Sequence, residues 1–522
     1  MPTTVPVSHD VPHFPARVPT RRQGLHRHTA VRPGAVTTGT TRETGEMTTV
    51  TSYNPARPAE VLGEFPSADA TAVDAAVTAA AEAQRSWAKV PVPLRADIIA
   101  EAGRLLTARK DELAALVSRE AGKVLIEGGG EVQEAIDMAA YVAGQGRSAF
   151  GDVVPSELRN KMAWTTRIPV GVVGMITPWN FPIAIPSWKC FPALLAGNGI
   201  VIKPSELAPV CGEAFIEVLA ESGVPEGLIQ VVHGTGEAGA ALTTHPGVGA
   251  VSFTGSVPTG RKVAAAAMET GPRLVSLELG GKNAMIVLDD ADLDLATDGA
   301  LFGAFGSSGQ RCTSTSRLVV QRGVAAELVE RVVARAAELK LGDPVDPTTD
   351  VGPVITRQSA ERIAGMLDVA VGEGATIAGA SGITEVDGCD GGAFFRPTVL
   401  AGVAPDHRIA REEAFGPLLS VIEVDSLDAA VDIVNQVEYG LSAAVYTQDI
   451  NRALQAVDGI DTGICYVNAP TIGAEIPLPF GGTKHTGNGF REAGARGIEQ
   501  FSQVKTVYVD YSGRLQRAQI DT

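Results

Sequence analysis

The sequence predicts an α/β fold with two doubly wound units, each a parallel sheet covered by helices. Three observations carry this reading. Between Gly171 and Val320 short apolar runs alternate with helical patterns, and a second series of the same kind follows as far as residue 447. Such alternation gives parallel strands joined by right-handed crossovers. The chain has 522 residues, 45% of them apolar, which is too long for one ordinary domain and enough for two or three cores. Only 5% are aromatic while 58 are glycine, so small residues are available wherever helix and sheet layers come close.

The elements follow in order. Residues 1–46 hold Arg17, Arg21, Arg22, Arg27, Arg32 and Arg42 against Asp10, Glu43 and Glu46, with no apolar block. Pro2, Pro6, Pro12, Pro15 and Pro19 break the amphipathic helix that a transit peptide needs. A disordered basic extension is expected, with Met47 a candidate start of the native chain. Ser67–Val90 carries Val73, Ala76, Val77, Ala80 and Trp87 at helical spacing. Pro93–Glu120 reads as one helix opened by its proline, and a third helix runs from Glu131 to Arg147. Residues 151–169 look extended.

Strands are then expected at Val172–Ile176, Ile200–Lys203, Ile229–Val232, Ala250–Phe253, Val275–Glu278, Ala284–Leu288 and Arg317–Val320. Helices such as Val210–Glu221 and Thr259–Glu269 lie between them. The second series has helices at 324–339, 357–373 and 427–436, and strands near 375–378, 419–424 and 442–447. The two units meet near residue 283. Val504–Val509 reads as a strand with little sequence left to cover it, and pairing with another subunit is the expected solution.

Composition excludes several functions. A formal net charge of −17 disfavours nucleic acid as a partner, because phosphate binding relies on basic patches. No apolar run approaches the roughly 20 residues that span a bilayer, so no membrane partner is expected. Cys190, Cys211, Cys312, Cys389 and Cys465 are widely spaced and odd in number, with neither a disulfide framework nor a metal-ligand spacing. A reducing cytoplasm suits that pattern. His233, His245, His407 and His485 read as surface or loop residues.

Chemistry is suggested by Cys312 in Phe305-Gly306-Ser307-Ser308-Gly309-Gln310-Arg311-Cys312-Thr313-Ser314. A lone cysteine is more often structural, yet this one is flanked by glycine and polar residues that let backbone approach a small molecule. Upstream, Leu277-Glu278-Leu279-Gly280-Gly281-Lys282 ends a strand on a carboxylate, and Ile176-Thr177-Pro178-Trp179-Asn180-Phe181-Pro182 ends another. Gly234-Thr235-Gly236-Glu237-Ala238-Gly239 matches GxGxxG after a strand, but no acidic residue ends a strand about twenty positions on. A structural turn is the favoured reading there, a phosphate contact the other. Phe253-Thr254-Gly255-Ser256 is a better pyrophosphate site, where free N–H groups and a helix dipole begin.

These runs, in this order, resemble the NAD(P)-dependent aldehyde dehydrogenase superfamily, and the likeness covers nearly all of the chain after Met47. It implies an aldehyde dehydrogenase-like fold. A Rossmann-type cofactor domain would take 47–150 and 170–282, and a catalytic domain 283–484. Strands at 151–169 and 499–514 would form a β element that makes a homodimer or homotetramer. Cys312 would attack the aldehyde, with Asn180 and the Cys312 backbone N–H holding the oxyanion. Glu278 would be the base for thioester hydrolysis, with Lys189 and Glu492 as a proton path.

The same likeness assigns the cofactor contacts. These are Ile176, Thr177, Pro178, Trp179, Lys203, Ser205, Glu206, Gly236, Gly239, Phe253, Thr254, Gly255, Ser256, Leu279, Glu413 and Phe415. A carboxylate at Glu206 would repel a 2′-phosphate, so NAD is expected and NADP is less favoured. No metal is expected.

For the substrate, Glu127-Gly128-Gly129-Gly130-Glu131-Val132-Gln133-Glu134 and Thr471-Ile472-Gly473-Ala474-Glu475 resemble the branch that oxidises α-aminoadipate semialdehyde. There an arginine beside the nucleophile and a backbone loop receive the substrate carboxylate, which points to Arg311, Gly473 and Ala474. Pro178-Trp179, Pro204-Ser205 and Lys282 depart from that branch. They are forms commoner in enzymes for α-ketoglutarate semialdehyde, other semialdehydes and aromatic aldehydes. An aldehyde with a distal carboxylate is therefore expected. Open beside it stand an aromatic or broad-range substrate, an Arg311 that only braces its loop, acyl transfer to coenzyme A, and a non-enzymatic homologue.

Overall fold

The computed structural model describes residues 48–148, 150–271 and 273–520, so the expected disordered extension lies outside the described residues. Two parallel sheets dominate. The first has five strands in the order Ile229–Val231, Gly199–Lys203, Val172–Ile176, Val248–Thr254, Leu274–Glu278. Every neighbouring pair is parallel. The chain enters at the central strand Val172–Ile176, builds outward on one side, then returns to build on the other. A crevice opens at the carboxyl end of that strand, where ligands of open α/β sheets bind.

The second sheet has seven strands: Thr376–Ala378, Thr398–Ala401, Leu418–Val424, Thr315–Gln321, Asn283–Val287, Ser442–Tyr446, Ile464–Val467. Only its first pair is antiparallel. Glu278 closes the last strand of the first sheet and Asn283 opens the first strand of the second. The four residues between them join the two sheets.

Three features differ from expectation. The helix predicted over 93–120 is two helices, Val92–Ala108 and Lys110–Ala121, split at Arg109, where the backbone leaves the helical region. The apolar period runs through Leu106 and Leu113 on either side, which hides the break. The third helix starts at Leu125, not Glu131, because it absorbs Gly128, Gly129 and Gly130. A Cβ at Gly128 would come 2.6 Å from the Ala114 carbonyl oxygen, so that glycine lets two helices touch. Finally, Ser502–Asp510 pairs antiparallel with Lys161–Pro169 of its own chain, where another subunit was expected. Val153–Val154 completes that three-stranded sheet, leaving Ser502–Asp510 on an edge with Val504 and Tyr508 exposed.

Sequence reading also missed the hairpin Thr49–Asn54/Arg57–Pro66. His233 lies in a loop but is buried, with Nε2 2.6 Å from a Glu213 oxygen and its ring stacked near Phe65. All five cysteines are free. Among the described residues no helix is long and apolar enough to cross a membrane. Among them, too, no group of three or more His, Cys, Asp or Glu could hold a metal ion.

Candidate active site

Cys312 follows the helix Leu293–Phe305 and a tight turn, Gly306–Gly309. Ser307, Ser308 and Gly309 have φ of 50°, 54° and 68°, three consecutive left-handed residues. Such strain persists only where surroundings hold it. Here Glu127 Oε1 accepts the Ser307 N–H at 2.7 Å, and the Ser307 hydroxyl accepts from Arg311 Nε at 3.0 Å. A side chain at Gly309 would meet the Gly416 carbonyl oxygen at 2.3 Å. Behind the turn, Asn283 Nδ2 donates to the Cys312 carbonyl at 2.8 Å. The thiol is partly exposed, and burial together with the carboxylates of Glu413, Glu278 and Glu492 pushes its pKa up.

Two cavities meet at Cys312. The larger, about 360 Å³, is lined by Pro178, Trp179, Asn180, Thr254, Gly255, Ser256, Leu279, Glu413 and Phe415. Asn180 donates its side-chain N–H to the Gln310 carbonyl at 3.0 Å, which ties its loop to the cysteine loop. Ser256 is the N-cap of the helix Val257–Glu269 but makes no side-chain cap bond, leaving the first N–H groups free for an anion. Phe415 stands edge-on to Trp179, ring centroids 5.5 Å apart. Glu413 accepts the Gly281 N–H at 3.1 Å, and burial pushes its carboxyl up to about 7. Gly280 lacks a Cβ where one would come 2.2 Å from Glu413 Oε2.

The other expected cofactor residues lie apart from this cavity. Ile176 and Thr177 are buried at the end of the central strand. Phe253 packs in the core beneath Gly255, so its side chain does not reach the cavity. Gly236 opens the helix Gly236–Thr244, and Gly239 packs 3.6 Å from the Ile176 and Lys203 side chains. Lys203 donates to the carbonyls of Pro204 at 2.9 Å and Gly234 at 2.7 Å and lies 3.4 Å from Glu206. A ribose there would have to displace one of these. Ser205 Oγ accepts the Leu207 N–H at 3.3 Å.

The second cavity, about 120 Å³, is lined by Glu278, Cys312, Glu492, Arg311, Gly473 and Ala474, with Phe181, Trp188, Phe480 and Glu134. Both carboxylate oxygens of Glu278 are buried without a hydrogen-bond partner. Burial first and the Glu492 anion second hold its carboxyl well above the usual range, while Lys189 and Arg491 pull the other way. Lys189 and Glu492 form a buried ion pair, and Lys189 also donates to Ser252 Oγ at 2.8 Å. Arg311 is not free: its Nη2 lies 3.3 Å from Glu127 Oε1. Glu134, by contrast, has no hydrogen bond or ion pair, and burial with the Glu131 charge pushes it up to about 7.

The structure thus brings Asn180, Glu278, Cys312, Glu492 and the three substrate candidates to one crevice, with Lys189 buried behind it on Glu492. Sequence reading quoted Glu127, Glu131 and Glu134 without giving them roles. Their i, i+4, i+7 spacing puts all three on one helix face, and that was the available signal. Asn283, and Ser359 and Arg362 on the wall of the larger cavity, left no comparable signal.

The parallel sheet ends on an anion-ready helix start that opens onto a thiol and an unpartnered carboxylate, the setting of a nucleotide-dependent enzyme. The chain belongs to the aldehyde dehydrogenase family, whose profile matches residues 41–507. It is 41% identical to the α-ketoglutarate semialdehyde dehydrogenase of Haloferax volcanii over 90% of this chain and 97% of that protein. The α-ketoglutaric semialdehyde dehydrogenase of Bacillus subtilis is 38% identical, with 90% and 95% covered. A betaine aldehyde dehydrogenase of Rhizobium etli is 39% identical over 90% and 95%. Among solved structures, the NAD-dependent aldehyde dehydrogenase of Sinorhizobium meliloti superposes with a TM-score of 0.86 at 38% identity, covering 90% and 93%. The protein is an NAD-dependent aldehyde dehydrogenase.

Proposed function

We propose that the enzyme oxidises a semialdehyde that also carries a carboxylate, α-ketoglutarate semialdehyde being the favoured member and α-aminoadipate semialdehyde the next. The observation that carries this is Arg311, which neighbours Cys312 in sequence and lines the same cavity. Glu127 would share the guanidinium with the incoming carboxylate, since Arg311 has donors for both. The names of the Haloferax and Bacillus relatives support the same class.

In the proposed reaction, Cys312 Sγ bonds to the aldehyde carbon and the carbonyl electron pair moves onto oxygen. Asn180 Nδ2 turns from Gln310 to hold that oxyanion, and the thiol proton passes to Glu278 through water. NAD, when bound, accepts the hydride, and Pro178, Trp179, Leu279, Glu413 and Phe415 would hold its nicotinamide end. Before hydrolysis Glu278 gives up that first proton; it then takes one from water as the water attacks the thioester, and returns it to Cys312 Sγ as the C–S bond breaks. Lys189 and Glu492 carry the released proton away. The buried, unpartnered carboxylate of Glu278 supports the base role, because a raised pKa makes its ionised form a stronger base than an ordinary carboxylate.

A second reading, an aldehyde with a cationic head, is favoured by the unpaired Glu134 in the same cavity. Initial rates over matched anionic, cationic and neutral aldehydes decide between them. Higher kcat/KM for semialdehyde acids supports the first, and a preference for neutral benzaldehydes removes both. We also propose a homodimer or homotetramer built on the exposed edge Ser502–Asp510; light scattering showing a monomer would refute it.

A further inference from the structure

The helix Leu125–Gln145 carries a buried ion pair that the reaction above does not use. Glu131 and Lys123 lie 2.6 Å apart with almost no exposed side-chain surface. A buried pair of this kind is a poor source of stability, because desolvation offsets much of the attraction. Its neighbours suggest another use. Glu131 Oε1 accepts the N–H groups of Ile183 at 2.8 Å and Ala184 at 3.3 Å. Those residues start the helix Ala184–Ala196, which has no side-chain cap of its own. Lys123 Nζ sits 3.2 Å from the centroid of the Phe181 ring. Phe181 is the residue after Asn180, so the loop bearing Asn180 is held by a cation under its ring and a carboxylate on the helix behind it.

One turn earlier on the same helix, Glu127 accepts the Ser307 N–H and pairs with Arg311 in the cysteine loop. One helix face therefore grips both loops, Glu127 the one with Cys312 and Glu131 the one with Asn180. The two loops meet where Asn180 donates to the Gln310 carbonyl at 3.0 Å.

We propose that Glu131, through Lys123 and Phe181, is a positioning residue that sets Asn180 against the cysteine loop. This rests on Asn180 acting as the oxyanion donor. It does not touch substrate or cofactor. An oxyanion donor placed poorly loses transition-state stabilisation and leaves ground-state binding of NAD alone, since Glu131 lines neither cavity.

The test is a double-mutant cycle on kcat/KM for the aldehyde, run with NAD binding measured by fluorescence titration. Removing Asn180 outright should cost ~10²–10³-fold, and Glu131→Gln about tenfold or more by the same physics. In an Asn180→Ala background, Glu131→Gln should add less than about threefold, the usual scatter of such cycles, while NAD affinity stays unchanged throughout. Equal losses in both backgrounds, no loss from Glu131→Gln, or a parallel loss of NAD affinity would overturn the proposal and leave the Asn180 role standing. An inert Asn180→Ala would instead remove that role and the proposal with it. Should Glu131→Gln fail to fold, Lys123→Met runs the same cycle with the helix cap intact.

Discussion

The Lys189 ammonium and the Glu492 carboxylate form a fully buried ion pair in the field of Glu278, whose own carboxylate has no partner. Glu492 raises the Glu278 pKa and Lys189 lowers it. The alkaline state of Glu278 is the working base, so kcat should rise with pH above the ordinary carboxylate range. Glu492→Gln removes an anion and leaves Lys189 unpaired, both of which favour ionised Glu278. That limb should move to lower pH. Lys189→Met should move it to higher pH. Steady-state pH profiles of the three enzymes check the signs, and shifts in one common direction would contradict them.

Glu134 titrates at about 7 on the wall of the substrate cavity. The charges around it are Glu131 and Asp137, which raise it, and Lys123 and Arg311, which lower it. Below pH 7 its carboxyl is neutral; above, it is an anion. For a substrate with a carboxylate tail, KM should therefore increase as pH passes upward through 7. For a cationic aldehyde it should decrease. Glu134→Gln should flatten both trends, and KM profiles that persist unchanged in that variant would assign the effect elsewhere.

Three consecutive glycines in one helix behave differently. Gly128→Ala drives a methyl group toward the Ala114 carbonyl, so a loss of about 1–3 kcal/mol is expected from overpacking. Gly130 is exposed and its added Cβ would meet nothing within 4 Å. Gly130→Ala should stabilise the protein by about 0.5–1 kcal/mol, because alanine restricts the unfolded chain and favours helix. Chemical denaturation of both variants reads the two signs.

Most of the fold was legible because periodicity is a local signal. The apolar runs at 172–176, 200–202 and 284–287 lie in interior strands buried on both faces. The break at Arg109 and the early start at Leu125 were not legible, since one leaves the apolar period intact and the other hides behind glycines. In the site, motifs in order pointed to Cys312, Glu278 and Asn180, which line adjoining cavities. The fixing of those residues was not legible, because Glu127, Glu131 and Asn283 act through backbone N–H and carbonyl groups of distant loops. A partner of that kind shows at most a helical spacing, as Glu127 and Glu131 do, and no mark of what it holds. Which face Phe253 presents was not legible for a related reason: a strand residue beside the crevice can point either way, and this side chain packs into the core.

The central claim is that carbon passes through a bond to Cys312 and is released by Glu278. Mixing the Glu278→Gln enzyme with NAD and a semialdehyde acid, then following NADH and intact mass, tests it most directly. The account predicts a burst near one NADH per chain, slow turnover afterwards, and an acyl adduct on the peptide containing Cys312. Turnover at the wild-type rate with no adduct, or a burst that survives Cys312→Ala, would contradict it.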